Sequence, residues 1–159
     1  MPIYMNYDGI PGELTAAGHE KWIELHSFSW GEGRGLIGGQ GASTRESGTV
    51  SIADVTVTKS MDKSSPKLFI AGATGTLDKT VKIDFVRTAK GEEQVYAQYT
   101  LTGTGVAGYS ISGGGSDRPT ESLSLNFDKI EFKYFAISDD LVGDPEIVSY
   151  DLASKKSSG

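Results

Sequence analysis

From Gly91 to Tyr134 the chain carries about forty residues of almost unbroken strand pattern, and this run constrains the fold class most. Gln94 to Thr102 alternates, with Val95, Ala97, Tyr99 and Leu101 on one face and Tyr96, Gln98, Thr100 and Thr102 on the other. Thr80 to Arg87 repeats the pattern: Val81, Ile83 and Phe85 share one face, Lys82 and Asp84 the other. Further strands are expected at Ile3 to Tyr7, Lys21 to Trp30, Thr49 to Lys59, Gly105 to Ser112 and Glu121 to Phe135, with a weaker one near Ile147 to Leu152. Short strands separated by glycine-rich turns predict a mainly β sandwich or barrel.

The strand from Glu121 is irregular. Leu123, Leu125 and Phe127 lie on one face, Ile130, Phe132 and Tyr134 on the other, so the apolar phase flips near Asp128. Similar flips fall between Ile52 and Val55 and between Leu25 and Phe28. A one-residue slip means either a bulge or a strand passing from one packing environment to another. One helix is expected from about Pro66 to Thr74, with Ser65 as N-cap, Pro66 in the first helical position and Gly75 as the stop. Leu68, Ala71 and Gly72 form its packing stripe. Between Trp30 and Thr49, seven glycines (Gly31, Gly33, Gly35, Gly38, Gly39, Gly41 and Gly48) mark an extended loop over 31–48. A loop of that length in a small domain is usually functional or mobile.

Composition narrows the function. A chain of 159 residues suits one domain with a real core, and the absence of cysteine removes disulfides, thiolate metal sites and thiol nucleophiles. Such a chain can pass between reducing and oxidising compartments unchanged. The start Met1-Pro2-Ile3-Tyr4 has no basic segment followed by an apolar run and a cleavage site, so export would not use a cleaved signal peptide. No apolar run approaches the roughly 20 residues of a membrane helix. A net charge of −6 argues against a sequence-independent hold on nucleic acid or acidic lipid. The end, residues 153–159, reads as a flexible polar tail.

Catalytic patterns are weak. Gly33-Arg34-Gly35-Leu36-Ile37-Gly38 matches a dinucleotide fingerprint by letter, but the following Gly39-Gln40-Gly41-Ala42-Ser43-Thr44 is unsuited to the helix that must face the pyrophosphate. His19 and His26 lack cysteines or a carboxylate cluster to complete a metal site, and each is expected to satisfy a local backbone group. No Gly-x-Ser-x-Gly elbow occurs. Glu92-Glu93 and Asp139-Asp140 are adjacent pairs, which on a strand point to opposite faces. The expectation is a protein that is not an enzyme and takes no cofactor or metal.

Several strings, in order, carry a resemblance. They are Ile3-Tyr4-Met5, Gly9-Ile10-Pro11-Gly12-Glu13, His19 through Phe28, Asp54-Val55-Thr56-Val57-Thr58-Lys59 and Asp62-Lys63-Ser64-Ser65-Pro66-Lys67-Leu68. The strand-rich segments of 91–134 and Val148-Ser149-Tyr150-Asp151-Leu152 complete the series. Together they resemble the Hcp family, the haemolysin co-regulated proteins that form the inner tube of bacterial type VI secretion systems. The resemblance implies a compact two-sheet β-barrel with one flanking short α-helix, like a phage tail tube, in a single domain over 1–159. It implies homohexameric rings stacked into a hollow conduit, assembled in the cytoplasm and ejected from the cell or into a target cell. Its partners would be a spike protein at the tip, a contractile sheath and baseplate, and effector proteins in the lumen. Neither nucleic-acid binding nor membrane insertion is expected.

By the same resemblance the loop over 31–48 reaches toward the next ring, which makes Arg34, Leu36, Ile37, Gln40, Arg45 and Glu46 the candidate stacking residues. The turn Gly113-Gly114-Gly115-Ser116-Asp117-Arg118-Pro119 is similar to the family's Asp-Arg-Pro turn, making Asp117 and Arg118 candidates for a ring contact, with a plain solvent-exposed turn as the alternative. Two other readings stay open: a monomeric barrel whose cavity, lined by Tyr96, Tyr99, Tyr109 or Phe127, binds a small apolar ligand, and a phage-like tail-tube protein.

Overall fold

The computed structural model describes residues 1–37, 46–137 and 142–159. In chain order the elements are β1 (Ile3–Tyr7), β2 (Ile23–Leu25), β3 (Ser27–Ser29), β4 (Glu32–Ile37), β5 (Glu46–Ile52), β6 (Val55–Ser60), α1 (Ser65–Thr74), β7 (Lys79–Ala89), β8 (Glu92–Ser112), β9 (Thr120–Asn126), β10 (Lys129–Ile137), β11 (Val142–Asp151) and β12 (Lys156–Ser158). The strands make a larger sheet ordered β12-β11-β10-β8-β7-β1-β2 and a smaller one ordered β3-β6-β9-β8. All pairings are antiparallel. The two-sheet arrangement expected from the sequence is present, joined along β8, which belongs to both sheets; the edge at β12 stays open.

Each of the three phase flips is a place where the chain changes sheet. At His26, whose N–H donates to the Thr58 carbonyl at 2.7 Å, the chain leaves β2 in the larger sheet for β3 in the smaller. Between Ile52 and Val55 it passes from β5 to β6, and between Asn126 and Lys129 it leaves β9 in the smaller sheet for β10 in the larger. The single strand expected from Glu121 to Phe135 is therefore two. Conversely, the two strands expected at Gln94 to Thr102 and Gly105 to Ser112 are one continuous β8. It bends at Gly103, whose φ is +63°, and a Cβ there would lie 2.3 Å from Asp128 Oδ2. Only glycine accepts that conformation and that proximity without strain.

Between the sheets Met5, Ile23, Val57, Ile83, Leu101, Leu123 and Leu125 are fully buried, each stabilising the fold by roughly 1.5–3 kcal/mol relative to exposure. Tyr99 stacks between Phe28 at 5.0 Å and Phe132 at 4.6 Å. Helix α1 begins one residue earlier than expected, at Ser65, with Ser64 in the N-cap position. The Ser64 side chain makes no capping bond; the Asp62 carboxylate instead accepts the Ser64 N–H at 2.9 Å. Gly72 lets the helix approach β8, since a Cβ there would come 3.3 Å from Val106 Cγ1.

Two segments carry more order than their composition suggests. Residues 31–48 include strand on either side of residues 38–45, because β4 and β5 pair with one another as a hairpin. The expected polar tail is a strand at its end: β12 pairs with β11 through Ser149↔Ser158, Tyr150↔Ser157 and Asp151↔Lys156. Asp151 Oδ1 shapes the connecting turn by accepting the N–H groups of Ala153 at 2.9 Å and Ser154 at 3.0 Å.

Candidate assembly interface

Among the described residues the β4–β5 hairpin pairs with no strand of either of the other two sheets. Its register runs from Glu32↔Ile52 at the base, through Arg34↔Val50 and an irregularity, to Leu36↔Ser47 and Ile37↔Glu46 at the far end. The register thus places Leu36, Ile37 and Glu46 at the end of the hairpin opposite its base, and Arg34 is exposed on the stem. Gln40 and Arg45 lie outside the described residues, as do Asp139 and Asp140. Gly33 to Ile37 of the glycine-rich string lie on β4, and the residues that would open the helix of a dinucleotide site, 39–44, lie outside the described residues.

Asp117 and Arg118 sit in the exposed connection between β8 and β9. Arg118 Nη1 lies 3.5 Å from Glu13 Oε2 and donates to the Met61 carbonyl at 3.5 Å. These contacts are long and solvated, and contribute little to stability. They hold Arg118 over a polar cleft of about 410 Å³ lined by Glu13, Glu24, His26, Ser60 and Asp62.

Neither histidine satisfies a local backbone group, which corrects the sequence expectation. His19 is buried, and its Nε2–H donates to Asp84 Oδ2, 65 residues away, at 2.8 Å. Gln98 Nε2 donates to the other oxygen of Asp84 at 2.6 Å. The imidazole lies against Tyr4 at 5.1 Å and edge-on to Trp22 at 4.6 Å, and its Nδ1 has no partner among the described residues. A His–Asp pair without a hydroxyl on the second ring nitrogen lacks the nucleophile of a hydrolase triad. His26, which is exposed, pairs through Nε2 with Ser60 Oγ at 3.0 Å.

A polar cluster invisible in the sequence anchors α1. Lys59 and Glu121 are both fully buried, with Lys59 Nζ 2.5 Å from Glu121 Oε1 and 3.0 Å from Asp62 Oδ1. Lys59 also donates to the Ser60 carbonyl at 2.9 Å. Ser65 Oγ donates to Glu121 Oε1 at 2.6 Å, and the Tyr109 hydroxyl donates to Glu121 Oε2. Burial pushes the Glu121 carboxyl up, but the bonds from Lys59, Ser65 and Tyr109 and the charge of Lys59 outweigh it, so its pKa lies below the usual value. Burial, then the bond to Glu121 and its charge, push the Tyr109 hydroxyl up to about 12. The cluster ties β6, β8, β9 and the first turn of α1 together.

The residues expected to line a small-molecule cavity do not converge. Tyr99 belongs to the Phe28–Phe132 stack, Tyr109 lies against Phe69 and Glu121, Phe127 is buried in the core and Tyr96 meets Phe85. Among the described residues there is no cluster of three or more histidine, cysteine or carboxylate side chains placed to hold a metal ion, and no helix long and apolar enough to cross a membrane. The sequence reading also passed over the exposure of Phe69 and Ile70 on α1. Its signal was available: apolar side chains at four successive positions, Leu68 to Ala71, cover more of a helix than one packing stripe can bury.

Residues 4–134 match a family model described as type VI secretion system effector, Hcp. Protein hcp1 of Pseudomonas aeruginosa is 39% identical over 87 residues, 54% of this chain and 53% of that protein, so the match spans about half the length of the curated relative. A solved structure of a type six secretion system protein superposes with a TM-score of 0.91 at 28% identity, covering 99% of both chains. Hcp1 from Salmonella typhimurium shares the fold, with a TM-score of 0.79 at 24% identity over 98% of this chain and 97% of its own. With most of its length matched by one family model and the same two-sheet fold in solved structures, the chain belongs to the Hcp family of type VI secretion proteins.

Proposed function

We propose that this protein is a structural, non-catalytic subunit of a type VI secretion inner tube. Copies join head to tail into a six-membered ring, and rings stack into a hollow conduit that a contractile sheath drives outward from a baseplate with a spike at its tip. Assembly takes place in the cytoplasm, release is to the exterior or into a target cell, and effectors travel in the lumen. The Hcp family membership supports this reading. The observation that carries it is the β4–β5 hairpin, which among the described residues pairs only with itself. An isolated two-stranded hairpin is marginal in water, so a hairpin standing outside both sheets suits an element completed by a neighbour. Leu36, Ile37 and Glu46 at its far end and Arg34 on its stem are the stacking residues in this reading, together with Gln40 and Arg45, which lie outside the described residues. Asp117 and Arg118, on the exposed β8–β9 connection, are secondary candidates for contact within the ring.

Light scattering coupled to size exclusion, with negative-stain images of the same peak, tests the proposal. The expected result is a six-fold mass and annular particles. A Leu36→Asp/Ile37→Asp variant is expected to keep the rings and lose stacked tubes. A monomer at every concentration, with no rings in the images, would overturn the reading.

A further inference from the structure

The apolar face of the larger sheet is covered at one flank and bare at the other. The register places Met5, Ile83, Tyr99, Phe132 and Val148 in one row across β1, β7, β8, β10 and β11. Burial falls along that row: Met5 and Ile83 are fully enclosed, Tyr99 and Phe132 are half-buried, and Val148 is 48% exposed. The row ends in a groove of about 510 Å³ lined by Trp30, Phe132, Val148 and Tyr150, with Glu32 among its walls. Glu146, two residues before Val148 and so on the same face, is exposed beside it. The Trp30 indole N–H is enclosed and has no acceptor among the described residues.

The opposite flank carries an exposed apolar surface. Helix α1 exposes Phe69 at 55% and Ile70 at 54%, and its charged side chain is Lys67. Lys67 and Lys79, with the single carboxylate Asp8, border the surface around Ile70, beside Tyr7 at the β1 end of the neighbouring row. That row runs Tyr7, Val81, Leu101, Ile130, Tyr150, so the helix and the groove are separated by four strand spacings, roughly 19 Å. One chain cannot bring them together. Two copies can, because an apolar ridge flanked by lysines on one side of the molecule matches an apolar groove flanked by glutamates on the other. A contact between different faces of identical chains propagates head to tail, and closes into a ring when the rotation per copy divides the circle.

We propose that Phe69 and Ile70 of one copy seat in the Trp30–Phe132–Val148–Tyr150 groove of the next, with Lys67 toward Glu32 and Glu146. The inference rests on the ring reading and names the faces that form the ring. The test uses the absence of cysteine from the sequence. Phe69→Cys and Val148→Cys chains are made separately, co-assembled and treated with a short bis-maleimide linker. The expected result is covalent dimers in the mixture well above those in either variant alone, and a ladder ending at six from the Phe69→Cys/Val148→Cys chain. A six-fold mass without a cross-link in the mixture would overturn the assignment of faces and leave the ring reading standing. A monomeric mass for the unsubstituted chain would overturn both. As a second readout, Lys67→Glu is expected to raise the concentration at which rings dissociate by tenfold or more, and Glu32→Lys in the same chain to reverse part of it; an unchanged dissociation concentration counts against the contact.

Discussion

A lysine enclosed without a partner would cost several kcal/mol, and Lys59 is tolerated in the interior because Glu121, Asp62 and the Ser60 carbonyl meet its ammonium. Removing one partner strands the other. Lys59→Met and Glu121→Leu are each expected to lower unfolding free energy by about 3–5 kcal/mol, while the double variant loses much less than their sum; urea denaturation of the four proteins measures the difference. The pH dependence follows from the same contacts. Glu121 is held below its usual pKa, so its contribution is whole above the unfolded carboxyl's pKa and fades as pH falls through the lower folded value. Tyr109 is raised from 10.0 to about 12, so the contribution of its neutral hydroxyl is whole below pH 10 and is lost as pH climbs toward 12. Tyr4, Tyr7 and Tyr99 are raised as well and share that alkaline loss. Thermal melts between pH 9 and about 12 are expected to show a shallower decline for Tyr109→Phe than for the unsubstituted chain. None of this was legible in the sequence: Lys59 and Glu121 lie on strands whose alternation reads as ordinary, and 62 residues separate the partners. His19 was misread for the same reason, its partner Asp84 being on the face of β7 that alternation assigns to solvent.

Among the elements, those with strong alternation were legible and those without it were not. β7 stands out through Val81, Ile83 and Phe85, whereas β4 with Gly33 and Gly35, and β12 with Lys-Ser-Ser, carry too little apolar signal to register as strands. Phase flips at Leu25–Phe28, Ile52–Val55 and Asp128 pointed to changes of environment, but a flip cannot say which sheet receives the chain. Gly103 shows the converse failure. As a glycine inside a strand pattern it reads as a break, while its positive φ in fact carries one strand around a bend. Gly103→Ala is expected to destabilise the fold by more than about 1 kcal/mol, since alanine both resists that φ and crowds the Asp128 carboxylate. Equilibrium unfolding measures this, and Gly91→Ala, also at positive φ but with nothing near its Cβ, separates the conformational part from the steric one.

At the level of the whole molecule, alternation tells two faces of a sheet apart but not which parts of a face are covered. The hairpin residues Arg34, Leu36, Ile37 and Glu46 are stacking candidates through family resemblance, whereas the bare groove at β10–β11 and the exposed apolar face of α1 emerge only when the two sheets are seen to differ in width. The shared strand has a mechanical consequence. In a sandwich held by side chains alone, the layers can slide past one another by repacking apolar contacts. Here β8 threads both layers, flanked by β7 and β10 over one stretch and by β9 over the other. Relative sliding would therefore pull on a continuous peptide chain and on its hydrogen-bonded neighbours at once. The subunit has no slip plane between its two layers, so a load applied to one layer is carried by the other.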